Sequence, residues 1–383
     1  MEQRGLAPSD VANRIRRLRE LLARAGPDEG PVDGLVVTTP ANIRWLSGFS
    51  GSAGSLLVTS ASALLVTDGR YRTQAVEQLA GCGVDNEIGV SIGGVQAQRQ
   101  ELATAAGGLR TIGLEADNVS WSAQRSWEEL FASAAVSPTR GVVEQLRMVK
   151  DAGEVDRMAR AAAIADEALA TVLPMLGATG TVRAGGTLTE SRFAAALDHA
   201  MRERGAEDSA FETIVASGEN SAKPHARPGD RIIGPGDPVV VDFGAVFDGY
   251  RSDMTRTFCI GGPPRGELAA LFDLVADSQR AGVRSVGPGV VAGIVDQACR
   301  QVIAASGWGE RFEHGTGHGV GLDIHEAPSV GPGSTAILDA GTVVTVEPGV
   351  YLPATGGVRI EDTLVVTEEG SRTLTLFPKE VAI

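Results

Sequence analysis

The chain has 383 residues, 43% hydrophobic and 21% charged, with 48 acids against 34 bases and a formal net charge of −14. That length allows two domains and a large core, and the acidic balance argues against a nucleic-acid surface. The apolar runs are strand-sized rather than long enough to span a membrane, and the N-terminal arginines are not followed by the apolar stretch of a secretory signal.

Taken in chain order, the first ten or so residues read as a frayed start. Val11 to Arg24 follows as a basic amphipathic helix with Val11, Ile15, Leu18, Leu21 and Leu22 on one side. Gly26 to Asp33 breaks it. Strand-like runs come next at Gly34–Thr38, Ser55–Thr59 and Ala63–Thr67, and Asn42 to Ser52 reads as a loop of small polar residues. Strands mixed with helical segments up to about residue 140 suggest a compact α/β domain. A long helical pattern then runs from Val142 to Leu173, carrying Lys150-Asp151-Ala152-Gly153-Glu154, and the boundary is drawn just before it. The expected domains are therefore 1–141 and 142–383. Further helices are predicted over Thr189–Gly205, with Thr189 as N-cap and Gly205 as stop, over Glu267–Val286 and over Val291–Ser306. Strand and hairpin signals lie between and after them. The second domain reads as helices on one side of a mainly antiparallel sheet, and the whole chain as α+β. Cys82, Cys259 and Cys299 are far apart, form no Cys-x-x-Cys pair, and read as buried free thiols of a cytoplasmic protein.

The second domain contains a short internal repeat. Val240-Val241-Asp242-Phe243-Gly244 matches Thr345-Val346-Glu347-Pro348-Gly349, and a second acid follows each, at Asp253 and Glu361. Asp248-Gly249 and Thr355-Gly356-Gly357 are turn signals between the members of each pair. An acid at the end of an apolar strand is ordinarily a solvated strand end, because burying it ionised and unpaired costs several kcal/mol. Four acids in two matching hairpins point instead to a cation site.

The histidines add to this. His314, His318 and His325 fall in one Gly-rich segment, His314-Gly315-Thr316-Gly317-His318-Gly319-Val320-Gly321-Leu322-Asp323-Ile324-His325-Glu326. An imidazole among carboxylates suits Mn, Co, Zn or Fe better than Ca or Mg. The segment does not say how many of its histidines are ligands. His225 has no spacing that ties it to a metal, and His199, mid-helix, reads as surface. Arg359, two before Glu361, would share a strand face with that acid and could orient a carboxylate.

Together these motifs resemble the creatinase/aminopeptidase P/prolidase family of dinuclear metallopeptidases. The resemblance rests on the His-Gly-Thr-Gly-His-Gly-x-Gly-Leu-x-x-His-Glu string, on Val-Glu-Pro-Gly-x-Tyr, and in the first domain on Asn42-x-x-Trp45-Leu46-Ser47-Gly48-Phe49 and Thr67-Asp68-Gly69-Arg70-Tyr71. Trp45 stands where tyrosine is frequent. The resemblance implies a creatinase-like N-terminal α/β domain and a C-terminal catalytic domain with the pita-bread fold. It implies Asp242, Asp253, His318, Glu347 and Glu361 as ligands of two divalent ions, with manganese first and Co, Zn or Fe as alternatives. It further implies His225 as a proton shuttle near the leaving group, His325 as a stabiliser of the tetrahedral intermediate, His314 and Arg359 as substrate-pocket residues, and Glu347 in proton transfer.

The activity so implied is hydrolysis of the bond between an N-terminal residue and a following proline, by a hydroxide bridging the two ions. The prolyl nitrogen has no N–H and must be protonated to leave. The partners are proline-containing peptides or dipeptides, with neither nucleic acid nor membrane, and the resemblance implies a homodimer. Dipeptidase and aminopeptidase remain alternatives. So does a catalytically silent pita-bread protein that binds peptides in the old cleft, although its mark, a missing ligand, is not found here.

Overall fold

A computed structural model describes residues 6–24, 31–177, 187–353, 355–379 and 382–383. By contacts the chain divides into two compact units, one of residues 8–147 and the other of 148–383 with the described residues ahead of Pro8. The expected break at Gly26–Asp33 and the frayed start fall largely outside the described residues. Among the described residues no helix is long and apolar enough to cross a membrane.

In the first unit, helix α1 (Val11–Ala23) buries Val11, Ile15, Leu18 and Leu22. Six strands form one sheet: β1 (Gly34–Val37), β2 (Ser55–Thr59), β3 (Ala63–Thr67), β4 (Ile88–Ile92), β5 (Thr111–Glu115) and β6 (Ala135–Thr139), in the order β4-β3-β2-β1-β5-β6. The β1–β2 and β2–β3 pairs are antiparallel and the rest parallel. The segment expected as a loop from Asn42 is instead helical up to Ser47. Helix α2 (Pro40–Ser47) starts on a proline at its first turn and ends on Gly48 at φ 76°. Its polarity is misleading because Asn42 is an interior residue: its amide nitrogen donates to Glu115 and Glu144, both at 2.6 Å, and its oxygen accepts from Arg147 at 2.6 Å. Cys82, at the end of a helix, is half-buried rather than buried, whereas Cys259 and Cys299 are buried free thiols.

The pattern read as one helix over Val142–Leu173 is two. Residues Val142–Arg147 form a short helix in the first unit, and a long helix begins in the second at Ala152. Asp151 explains the break. Its side chain accepts from the Glu154 N–H while the Glu154 carboxylate accepts from the Asp151 N–H, a reciprocal cap that starts a helix rather than continuing one.

In the second unit the elements that matter are two helix pairs and two sheets. Helices Ala152–Val172 and Glu190–Glu203 share an apolar core with strands Ile214–Ser217, Pro238–Phe243 and Met254–Cys259. Helices Glu267–Ser285 and Ala292–Ala305 share another with strands Val343–Val346 and Asp362–Thr367. Thr189 caps the Glu190–Glu203 helix, accepting from the Arg192 N–H, and Gly205 follows its end at φ 95°. The three-stranded sheet and a five-stranded one, built from Glu326–Val330, Gly317–Gly319, Val343–Val346, Asp362–Thr367 and Gly370–Thr373, are antiparallel throughout. The Asp248-Gly249 turn is present, with φ of 44° and 74°, the left-handed pair that a tight hairpin requires.

Candidate metal centre

Four strand ends deliver the carboxylates. Asp242 is the fifth residue of Pro238–Phe243 and pairs with Thr255 on the neighbouring strand. Asp253 immediately precedes Met254–Cys259. Glu347 follows Val343–Val346, and Glu361 precedes Asp362–Thr367. Thr255 joins the two pairs. Its carbonyl accepts from the Glu361 N–H at 3.1 Å, and its hydroxyl donates to the Glu361 carboxylate at 2.8 Å. His318 sits mid-strand between Gly317 and Gly319. A Cβ at those glycines would collide with the Thr345 and Ala327 carbonyls, so only glycine lets the strand lie this close.

The five candidate ligands converge. Asp242, Asp253 and Glu361 each offer an oxygen within 4.8 Å of the others. The Nε2 atom of His318 is 3.5 Å from Asp253 and 3.3 Å from Glu347. Its Nδ1 lies 2.9 Å from the Gly319 carbonyl. That bond places the ring proton on Nδ1 and leaves the Nε2 lone pair facing the carboxylates, as a ligand requires.

The electrostatics are those of a site short of positive charge. Burial, and then the charges of Glu361, Asp242 and Glu347, push the Asp253 carboxyl well above its usual range. Burial and the Glu347 and Asp242 charges do the same to Glu361. Glu347 is raised to about 8, chiefly by burial. Burial lowers His318 below its ordinary value, which favours the neutral, coordinating form. The Oδ1 atom of Asp242 is buried with no hydrogen-bond partner. Unpartnered buried oxygens are rare because they lose water and gain nothing. A divalent cation among these donors would repair both the missing partner and the like-charge crowding, so the residues present fit a metal centre. Nitrogen alongside carboxylates suits a transition metal.

The cluster opens into a cavity of about 630 Å³ whose wall includes His225, His314, His325 and Arg359. The His325 ring stands edge-on to His318 with centroids 4.4 Å apart, and burial lowers its pKa. His314 donates from Nδ1 to the Gly315 carbonyl at 2.8 Å and accepts at Nε2 from the Tyr351 hydroxyl at 2.9 Å. Burial takes it down to about 4, so the ring is neutral. The Arg359 guanidinium donates to Tyr351, to Asp242 Oδ2, both at 2.7 Å, and to Thr255 at 3.1 Å. Burial opposes its charge, but Tyr351, Asp242 and Glu347 hold it protonated. A continuous bonded line thus runs Asp242–Arg359–Tyr351–His314. His199 is on the surface beside Glu203, away from this cluster.

Residues 156–368 match the model of metallopeptidase family M24, and residues 14–149 match the Creatinase/Prolidase N-terminal domain. The chain belongs to metallopeptidase family M24. It is 33% identical to the Xaa-Pro dipeptidase of Pyrococcus horikoshii over 97% of this chain and 99% of that one. Among solved structures it is similar to an Xaa-Pro dipeptidase from Bacillus anthracis, at 37% identity and a TM-score of 0.88, covering 97% of this chain and 100% of that one. It is also similar to an X-Pro aminopeptidase from Thermotoga maritima, at 34% identity and a TM-score of 0.82, covering 92% and 98%. The protein is thus a metallopeptidase with a creatinase-type N-terminal domain and a pita-bread catalytic domain.

Three residues that serve the metallopeptidase's site escaped residue-by-residue reading. Thr255 holds Glu361, and Thr345 holds both the His318 N–H at 3.0 Å and the Glu347 carboxylate at 3.2 Å. Threonines inside apolar strands carry no pattern that marks them. Tyr351 did have a signal, as the last residue of Val-Glu-Pro-Gly-x-Tyr, but its role as the link between Arg359 and His314 needs coordinates.

Proposed function

We propose that this metallopeptidase is an Xaa-Pro peptidase that works with two divalent ions, manganese first among them, held by Asp242, Asp253, His318, Glu347 and Glu361. The observation that carries the reading is the cluster of Asp242, Asp253 and Glu361, crowded together with an Asp242 oxygen that has no hydrogen-bond partner, beside a cavity lined by His225, His314, His318 and His325. The proline preference follows the similar Xaa-Pro dipeptidases of Pyrococcus horikoshii and Bacillus anthracis. When bound, two such ions would supply a water nucleophile activated near neutral pH.

The protein's own groups divide the remaining work. Arg359 fixes Asp242 through a charge-assisted bond. Glu347, on the cavity wall with an oxygen 3.3 Å from His318, is placed to take part in moving a proton from the nucleophile. His225 on the cavity wall is the donor for the prolyl nitrogen, which carries no proton of its own. His325, beside His318, is placed to donate to the oxygen that becomes negative as the carbonyl is attacked. With all five candidate ligands present in the chain, a silent peptide-binding role has nothing to favour it.

The test is an assay of chelator-stripped and manganese-reloaded protein on Xaa-Pro and Xaa-Ala dipeptides. Cleavage of Xaa-Pro only after reloading is expected. Equal turnover of both substrates, or turnover by the stripped protein, overturns the reading.

A further inference from the structure

The cavity wall carries a charge pair that the chemistry above does not use. Arg227 Nε lies 3.2 Å from Glu212 Oε2, with the two side chains 83% and 64% exposed, and both residues line the cavity. Among the described residues lining it, the only basic side chains other than histidines are Arg227 and Arg359. Arg359 is committed to Asp242, Tyr351 and Thr255 and is only 3% exposed. Arg227 is therefore the cation the cavity can turn toward a ligand.

We propose that Arg227 recognises the free carboxylate of a dipeptide's proline, with Glu212 as the counter-charge the substrate displaces, which makes the enzyme selective for dipeptides. The inference rests on the Xaa-Pro reading of the site. Arg227 lies two residues beyond His225 in a segment whose members face the same cavity. In an Xaa-Pro dipeptide the carboxylate carbon is only two covalent bonds from the nitrogen that His225 would protonate. A group just past His225 is thus positioned to meet it.

The segment is held firmly while the side chain is not. The buried Glu190 accepts from the N–H groups of Ser217 and Gly229 at 2.7 and 3.1 Å and from the Asn220 amide at 3.1 Å. Those bonds bracket residues 217–229 and fix where Arg227 starts. The Arg227–Glu212 pair itself is exposed, and pairs of that kind are worth little because water and salt screen them. Exchange for a planar substrate carboxylate, which the guanidinium fork can grip with two parallel bonds, is favourable. A longer peptide offers a neutral amide at the same place and gains no such bond.

The experiment compares an Xaa-Pro dipeptide with the same dipeptide amidated at its C-terminus, on manganese-loaded wild type, Arg227→Gln, Arg227→Lys and Glu212→Gln. The wild type should prefer the free acid. Arg227→Gln should erase that preference through a roughly tenfold rise in KM for the acid, and Arg227→Lys should restore part of it. Glu212→Gln should move the opposite way, lowering KM for the acid a few-fold by removing the competitor. A wild type indifferent to amidation, or an Arg227→Gln variant with the acid preference intact, overturns the assignment. Failure of the wild type to cleave either compound would instead overturn the Xaa-Pro reading beneath it.

Discussion

Two groups of buried carboxylate in the catalytic unit are treated in opposite ways. Glu190 is fully buried and saturated: the Ser217 N–H and hydroxyl, the Asn220 amide and the Gly229 N–H all donate to it. Asp253 and Glu361 are nearly as buried, at 5% and 1% exposure, but they crowd against other carboxylates; Glu361 accepts from the Thr255 hydroxyl, and Asp242 keeps an oxygen with no donor. Glu190 behaves as part of the fold, since its charge is met by dipoles that the chain supplies. The other cluster is left for something the chain does not supply. Donor count, rather than burial or charge alone, separates a structural acid from a cation ligand.

The largest effect expected from this contrast is on activity and stability taken together. Asp253→Asn or His318→Ala should lower kcat/KM by about a thousandfold or more, as loss of a central catalytic element does. Metal-free Asp253→Asn should nonetheless be at least as stable as the wild type in urea unfolding, since it removes a buried charge from a like-charged cluster. Glu190→Gln should do the reverse on stability, costing about 3 kcal/mol by setting an NH₂ group against donors that had been satisfied. A destabilised Asp253→Asn with a stable Glu190→Gln would undo the contrast.

Next in size is the response to metal and pH. Manganese at a hundred times its Kd should stabilise the wild type by about 2.7 kcal/mol, seen as a rise of several degrees in Tm, and should leave Asp253→Asn nearly unmoved. Without metal, Glu347 has a folded pKa of about 8, above its ordinary 4.5. A group raised in this way favours the fold when protonated. Its contribution is therefore fully present below about 4.5 and is lost as pH rises to 8. Metal-free protein should lose stability across that window, and metal-loaded protein should lose much less.

The smallest effect is expected at Asp166, which is intermediate between the two groups. One of its oxygens accepts from the Leu376 N–H at 2.7 Å, and the other is buried without a partner. Burial raises its pKa from 3.8 to about 6, so ionisation costs stability as pH rises between those values. Asp166→Asn should be more stable than the wild type at pH 7.5 and no more stable at pH 3, measured by urea unfolding at the two pH values.

Much of the catalytic unit was legible in the sequence because its signals are local. Thr189 and Gly205 delimit a helix by cap chemistry, and Asp248-Gly249 marks a hairpin by backbone conformation. The acids stood out because Asp242 and Glu347 interrupt apolar strands where a charge is costly. Other features depend on partners far along the chain. Asn42 looked like a loop residue because Glu115, Glu144 and Arg147, which satisfy it inside a helix, are 73 to 105 positions away. The helix break at Asp151 was locally encoded, by the Asp151–Glu154 cap, yet was masked by helical periodicity on both sides. The support given by Thr255, Thr345 and Tyr351 to Glu361, His318 and Arg359 exists only once the strands are paired.

The claim that donor-starved carboxylates make this a two-ion site is tested most directly by calorimetric titration of chelator-stripped protein with Mn²⁺. The account predicts two ions per wild-type chain and loss of tight binding in Asp253→Asn, with Glu190→Gln, where folded, still binding both. A wild type that takes up no manganese, or an Asp253→Asn variant that binds as the wild type does, would contradict it.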